Sequence, residues 1–379
     1  MVQDVDCSSQ SFHLASFSVA ALCIILSAVS SCAQETSSTF EDLALKASAA
    51  REQNDIPRAI ELYSRAVHLN PKWPDGWWFL GSLQYGIDAY TPAQDALTHY
   101  LELTPNAGPA LALRGLCKFE IGDYAQSLKD IQQSLSLGAA NQSRNEQILL
   151  YHEALLLTRT GRFEEALQTY GILAKDAPAN PELFAAIGLA GLRTALLPKE
   201  AAANDMDLFL AAGNAAFHFM TGGAKGAAQP FQDLFLRFPK APNAHYLYGY
   251  LLFATSPDEA VVEFKRELAI APSNPVANAM IAWDSLLRNN PSEALPFARQ
   301  AATQAPGLTV AQLVFGRSLV ETGNINGGME HLEKALALEP RNVEIHLALV
   351  KAYSESGRKE DARRERLVCL QLTSKETHP

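Results

Sequence analysis

Cysteine is scarce in this chain, which has five cysteines among 379 residues, and three of them (Cys7, Cys23 and Cys32) lie near the N-terminus. The remaining two, Cys117 and Cys369, are separated by most of the chain. Two isolated cysteines make no disulfide framework, which excludes the class of small disulfide-stapled secreted domains. Both stand where small residues recur along the sequence, so we expect two buried thiols.

Positive charge, strand patterns and the usual motifs of catalysis are also missing. The formal net charge is −10, whereas a nucleic-acid-binding domain normally shows a basic surface. The nine histidines have no metal-ligand spacing, and no serine or cysteine stands in a nucleophile motif. The segment 222–226 (GGAKG) lacks the spacing and the Lys-Ser/Thr ending of a phosphate-binding loop. We therefore expect an all-α chain that is not an enzyme and binds no metal, no cofactor and no nucleic acid.

What the sequence does contain is a repeat of about 34 residues. A proline ends each unit, a small residue precedes it by twelve positions, and in most units another small residue lies twelve positions earlier. The prolines are Pro71, Pro105, Pro178, Pro239, Pro272, Pro306 and Pro340, and the residues twelve positions before them are Ala59, Ala93, Ala166, Ala227, Ala260, Ala294 and Gly328. A fixed period of this length marks a stack of similar units. The helical spacings inside each period predict that a unit consists of two packed helices, which we call helix A and helix B in chain order.

These motifs resemble the tetratricopeptide repeat, whose pattern is W-x2-L-G-x2-Y, then A-x3-F, then P. The second unit has Trp77, Leu80 and Gly81 at the matching spacing, although Tyr85 stands one position late. Its second half continues with Ala93 and a leucine before the proline. The resemblance implies a right-handed superhelix of about ten helix-turn-helix repeats. It also implies a protein-binding scaffold, since most arrays of this family have that role.

Ten units are expected, beginning near residues 40, 74, 108, 147, 181, 208, 242, 275, 309 and 343. Unit five is about seven residues short, so we expect its helix A over 183–193, its helix B reduced to about 198–204, and an irregular repeat near 196–207. We predict an N-terminal stack over 40–195, a joint over 196–207, and a C-terminal stack over 208–374 that ends in a capping helix and is followed by a tail (375–379). One continuous solenoid with a locally thin repeat is the alternative.

The first 33 residues have the order of an export signal. An apolar stretch over 14–29 is too short for a comfortable transmembrane helix, and small residues follow it before a polar linker (34–39). The sequence Val29-Ser-Ser-Cys32 resembles a bacterial lipobox, which would leave Cys32 as a lipidated first residue and a membrane tether. Ordinary cleavage before Gln34, giving a soluble exported or secreted protein, and a retained anchor are the alternatives.

Helix A of each unit lines the concave groove of such superhelices, chiefly through positions 2, 5, 9, 12 and 13. In this sequence those positions hold aromatic residues that we predict to bind a partner: Trp78, Tyr85, Phe119, Tyr151, Phe209, Phe219, Tyr246, Tyr250, Phe253 and Trp283. An aromatic groove favours an extended peptide or an apolar helix as ligand. The alternative is that these rings only pack between neighbouring helices.

The sequence therefore predicts a non-enzymatic scaffold of the cell envelope or periplasm that binds a peptide or partner helix in an aromatic groove. An envelope-assembly lipoprotein, serving a pilus or an outer-membrane complex and anchored through Cys32, is the alternative. An enzyme would require clustered polar residues at one place in the groove, and the pattern shows none.

Overall fold

The computed structural model describes residues 39–138 and 143–376. The predicted signal (1–33), the lipidation residue Cys32, nearly all of the linker and the last residues of the tail therefore lie outside the described residues.

Within those ranges the chain forms α-helices and one 3-10 turn, and no strand. The helices are α1 (Phe40–Glu52), α2 (Ile56–Leu69), α3 (Pro74–Tyr85), α4 (Tyr90–Leu103), α5 (Gly108–Glu120), α6 (Tyr124–Ser136), α7 (Ser143–Arg159), α8 (Phe163–Leu173), α9 (Pro181–Gly191), α10 (Met206–Arg237), α11 (Ala244–Leu252), α12 (Pro257–Ile270), α13 (Pro275–Leu287), α14 (Pro291–Gln304), α15 (Thr309–Glu321), α16 (Ile325–Leu338), α17 (Val343–Glu355) and α18 (Lys359–Glu376). Consecutive helices pack in pairs, from α1 with α2 to α17 with α18, so the all-α solenoid of helical hairpins is confirmed.

Local sequence explains where many of these helices begin. Asn180 and Asn274 precede α9 and α13, and each side chain accepts a hydrogen bond from a backbone N–H of the first turn, at 2.8 and 3.1 Å. Such caps satisfy donors that the helix itself cannot pair. Proline occupies the first position of several helices, where its missing N–H costs nothing. Helix α3 begins at Pro74, where the second unit is expected to start.

The recurring small residues lie where helix A crosses helix B of the same unit. Ala47, Ala59 and Ala93 are completely buried. A Cβ atom added at Gly81 would stand 2.8 Å from Cγ of Leu97, and the crossing in unit nine is equally tight at Gly316. A larger side chain at these positions would have to push the helices apart, which explains the repeat period.

Several of the prolines that end the units also accept a hydrogen bond from a side chain of the next unit. Trp77 Nε1 donates to the Pro71 carbonyl at 2.9 Å, and Gln312 Nε2 donates to the Pro306 carbonyl at 3.0 Å. Both donors are the fourth residue of a helix A. These bonds connect the turn that follows helix B of one unit to helix A of the next unit.

Unit five differs from the expectation. Its predicted helix B over 198–204 is wrong, because this segment contains only the 3-10 turn Pro198–Glu200 and is otherwise non-helical. Helix α9 packs instead against the first arm of α10 (206–222). The chain then turns at Gly223, whose φ of 64° and ψ of −166° favour glycine, and a second arm follows (224–237). Unit six therefore consists of two helices joined by a turn, as the repeat pattern predicts for each unit.

The hydrophobic core continues through this irregular region. One cluster of buried side chains extends from Phe119 to Leu247 and includes Leu197 of the segment between α9 and α10, which is 1% exposed. The joint thus belongs to the same continuous core as the repeats on either side of it. The division into two stacks stays a prediction.

Candidate partner-binding groove

Helices from four successive units surround an apolar cavity of about 320 Å³ in the C-terminal half of the array. Its lining consists of Phe253, Met280, Trp283, Thr309, Val310, Leu313, Glu339, Asn342 and Glu344. These residues come from the end of α11, from α13, from α15, and from the loop and first turn that lead into α17. The surface is therefore built mainly by helix A of units seven to ten, as the family resemblance implies for a concave groove.

Neighbouring side chains hold the two aromatic residues of this cavity in place. Trp283 is half-buried, and the Arg317 guanidinium lies 5.3 Å from its ring centroid. Phe253 is also half-buried and packs against Phe264, with 6.2 Å between ring centroids. Each ring keeps part of its surface open to the cavity, so both can contact a ligand.

The rim of this cavity is acidic. Glu339 and Glu344 both line it and are exposed. Asn342 joins them, since its Nδ2 donates to Glu339 Oε2 at 2.8 Å and its Oδ1 accepts from the backbone N–H of Glu344 at 3.0 Å. The basic side chains alongside, Arg317 and Lys351, both lie close to Glu321, at 3.6 and 3.5 Å.

Tyr246 and Tyr250, by contrast, face the N-terminal half of the protein. Tyr246 is 2% exposed, and its hydroxyl donates to Glu164 Oε1 on α8 at 2.7 Å. Arg193 forms an ion pair with the same carboxylate and lies 5.6 Å from the Tyr246 ring. Burial raises the pKa of Tyr246 well above its ordinary value, and the charge of Glu164 adds to the effect. Tyr250 is half-buried and stacks on Tyr246.

The segment between α9 and α10 contacts one predicted groove residue, Phe119 of unit three, and also Arg159 near the end of helix A of unit four. Phe119 is 7% exposed, and Lys199 Nζ lies 5.9 Å from its ring centroid. Arg159 donates to the Ala195 carbonyl at 3.2 Å and lies 3.4 Å from Glu200. Helix A of these units therefore meets the protein's own chain where a partner was expected.

The remaining predicted residues lie elsewhere along the array. Tyr151 lines a separate cavity of about 300 Å³ and donates to Glu182 at 3.1 Å. Trp78 packs on Tyr100, and Phe219 packs edge-on against Tyr248. Phe209 is 7% exposed within the large core cluster, and Tyr85 contacts Tyr90 edge-on.

The structure thus brings together two of the ten predicted residues, Phe253 and Trp283, at one cavity, and buries three others. Whether any of them binds a partner stays a prediction. Sequence reasoning missed Val310, Leu313 and Glu344, although they occupy groove positions 2 and 5 of unit nine and position 2 of unit ten. The positional pattern would have found them if aliphatic and acidic residues had been included with the aromatic ones.

Other kinds of site were sought in the same ranges of the chain. Residues 39–138 and 143–376 hold no group of three or more His, Cys, Asp or Glu side chains placed to bind a metal ion. No helix in these ranges combines the length and apolar character needed to cross a membrane. Cys117 and Cys369 are buried free thiols, as expected, and burial raises the pKa of Cys117 to about 12.

Comparison with known proteins gives matches to tetratricopeptide repeat sequences. Two family models, both described as tetratricopeptide repeat, match residues 45–106 and 323–365. The TPR repeat-containing protein MJ1428 of Methanocaldococcus jannaschii is 25% identical over 134 residues, which are 35% of this chain and 22% of that protein. The chain therefore matches less than a quarter of that relative's length.

Two solved structures illustrate the structural similarity. MamA from Desulfovibrio magneticus RS-1 is 18% identical with a TM-score of 0.39, covering 45% of this chain and 97% of that one. Yeast Tom70 is 14% identical with a TM-score of 0.36, covering 89% of this chain and 76% of that one.

Proposed function

The chain belongs to the tetratricopeptide repeat superfamily, and we propose that it is a non-enzymatic scaffold that binds a protein or peptide in its C-terminal groove. The fold itself suggests a protein-interaction scaffold. Stacked helical repeats create extended concave surfaces, and proteins of this architecture use these surfaces for binding.

One observation carries the proposal, namely the apolar cavity between Phe253, Trp283 and Val310. Its volume of about 320 Å³ is within the range of ligand pockets. Aromatic side chains in a concave, partly desolvated setting are the kind that dominates binding energy at interfaces. An extended peptide or the apolar face of a helix could place one side chain in this cavity.

A matched pair of variants tests the proposal. Val310→Arg puts a charged side chain into the cavity, whereas Val262→Arg makes the same change at a valine of α12 that is 48% exposed and lies outside it. The wild-type chain is first used to capture proteins from the native extract, and each candidate partner is then purified and tested directly. The Val262→Arg variant should still bind that partner, and the Val310→Arg variant should not. Equal binding by both variants, with unchanged melting temperatures, would contradict the groove as the binding site.

We also propose that the protein is exported to the cell envelope or periplasm, and that Cys32 is its acylated first residue in an envelope-assembly role. The apolar stretch over 14–29 and the lipobox-like sequence that ends at Cys32 support this proposal. Intact-mass measurement on protein purified from its own cells tests it. An acylated chain beginning at Cys32 agrees with the lipoprotein, a chain beginning at Gln34 agrees with soluble export only, and a chain that keeps residues 1–30 contradicts both.

A further inference from the structure

We propose that the C-terminal groove recognises a partner segment in which an apolar side chain is flanked by lysine or arginine. Phe253 and Trp283 would contact the apolar side chain, and Glu339 and Glu344 would pair with the basic ones. This inference rests on the proposed function, because it names the chemistry of the ligand for the same groove.

The first step of the argument is that the cavity combines an apolar interior with a rim of one charge. The interior is made by Phe253, Met280, Trp283, Val310 and Leu313. The charged residues of the lining are two carboxylates, and no lysine or arginine is among the lining residues. A ligand that fits both parts must present apolar and positive groups side by side.

The second step is that these carboxylates are not neutralised by the described part of the chain. Neither Glu339 nor Glu344 forms an ion pair within 4 Å among the described residues. Nearby cations have other partners, since Arg317 and Lys351 share Glu321. Arg162 of α8, whose charge interacts with Glu339, donates to both carboxylate oxygens of Glu165. The residues that line this cavity therefore carry a formal charge of −2, while Arg317 and Lys351 lie beside Glu344 at the neighbouring cavity, where they share the one carboxylate of Glu321.

The third step excludes two other occupants on charge. Residues 1–38 contain Asp4, Asp6 and Glu35 but no lysine or arginine, so this segment does not complement the acidic rim. A second copy could offer the exposed Leu367 and Leu370 of α18 beside arginines. However, two copies that each have a net charge of −10 repel one another at a distance. A separate partner with a basic and apolar segment fits the groove better.

Direct binding to the full chain tests the inference. The probes are three short fluorescent peptides with the same Phe-Leu centre, flanked on both sides by two lysines, two glutamines or two glutamates. Exposed ion pairs contribute little each, so two of them should make the lysine peptide bind about tenfold more tightly than the glutamine peptide. The glutamate peptide should bind most weakly, and salt should reduce the difference.

Matched charge variants show whether the rim is responsible. Glu339→Gln with Glu344→Gln should bring the affinities for the lysine and glutamine peptides together. Glu293→Gln with Glu360→Gln changes the net charge equally at exposed first-turn positions of α14 and α18, and it should keep the preference.

The remaining outcomes separate the two proposals. If all three peptides bind equally and Val310→Arg abolishes binding, the groove remains a binding site and the inference about charge is wrong. If none of the peptides binds while a native partner is still lost on Val310→Arg, the inference is wrong and the proposed function is kept. If sedimentation shows oligomers that are dissociated both by Leu367→Ser with Leu370→Ser and by Val310→Arg, a second copy occupies the groove and the inference is also wrong.

Discussion

Gly213→Ala should strongly destabilise the joint of the array. Gly213 lies on the first arm of α10, where this helix crosses α9. A Cβ atom there would lie 2.6 Å from the carbonyl carbon of Phe184 and 2.9 Å from the backbone nitrogen of Gly188. Both obstacles are backbone atoms, so no side-chain rotation can make room, and the two helices must separate.

The size of the effect follows from this contact. Overpacking a core costs ~1–3 kcal/mol, and we expect the upper end because rigid backbone must move. Gly222→Ala is the matched control, since this residue is exposed on the same helix and no atom lies within 4 Å of the added Cβ. Alanine is the better helix former, by up to ~1 kcal/mol. The control should therefore be neutral or slightly stabilising.

Chemical denaturation followed by circular dichroism would compare the two variants, and hydrogen exchange would locate the damage. Because repeats interact mainly with their neighbours, the loss of protection should be concentrated in α9, α10 and α11. The reasoning would be refuted if Gly213→Ala were as stable as the wild-type chain, or if protection fell in distant units and not at the joint.

Four further substitutions test other parts of the structure. Gly81→Leu should cost ~1–3 kcal/mol and lower hydrogen-exchange protection in units one to three. Tyr246→Phe removes one hydrogen bond to Glu164 and should cost about 1 kcal/mol in the free energy of unfolding. Tyr250→Ala should lower the free energy of unfolding by about 2 kcal/mol, less than the ~3–5 kcal/mol lost on truncating a fully buried aromatic residue, and should leave partner affinity unchanged. Weaker partner binding with unchanged stability would instead show that Tyr250 binds the partner. Burial raises the pKa of Cys117 from 9.0 to about 12, so the thiol loses its proton more readily in the unfolded chain. Its contribution to stability is therefore complete below pH 9.0 and is lost as the pH rises towards about 12. Cys117→Ala should make stability fall less steeply with pH in alkaline denaturation.

The repeat fold was predictable because it depends on contacts within one unit. Ala93 and Gly81 meet across a single helical hairpin, and the spacing between them is visible in the sequence itself. The same locality made the burial of Cys117 predictable, since it stands at a small-residue position of a regular helix. The burial of a residue can be predicted from the repeat period when its neighbours come only from its own unit and the next one.

The burial of Tyr246 was not predictable, because its partner Glu164 lies 82 positions away on α8. The helical pattern places both Tyr246 and Phe253 on one face of α11, but it does not say what that face meets. Glu164 lies in the first turn of α8, where the helix dipole favours a carboxylate. Its contacts with Tyr246 and Arg193 give it a second role that only the tertiary structure shows.

The missing helix of unit five determines where a groove remains open. Without a helix B of its own, α9 buries its face against the first arm of α10, and Gly188 and Gly213 make this close crossing possible. The segment that replaces the helix contacts Phe119 and Arg159, and so covers part of the inner face of units three and four.

The start of α11 also contacts this joint. The side chain of Asn243 donates a hydrogen bond to the Leu192 carbonyl at 3.1 Å, and the Tyr246 hydroxyl donates one to Glu164 on α8. The aromatic face of α11 is therefore covered at its beginning and opens only towards its end, at Phe253. From there the regular units eight to ten continue the surface through Trp283 and Val310. A shortening of about seven residues, near the middle of the chain, thus leaves an open apolar surface in the C-terminal repeats, which is where we propose that a partner binds.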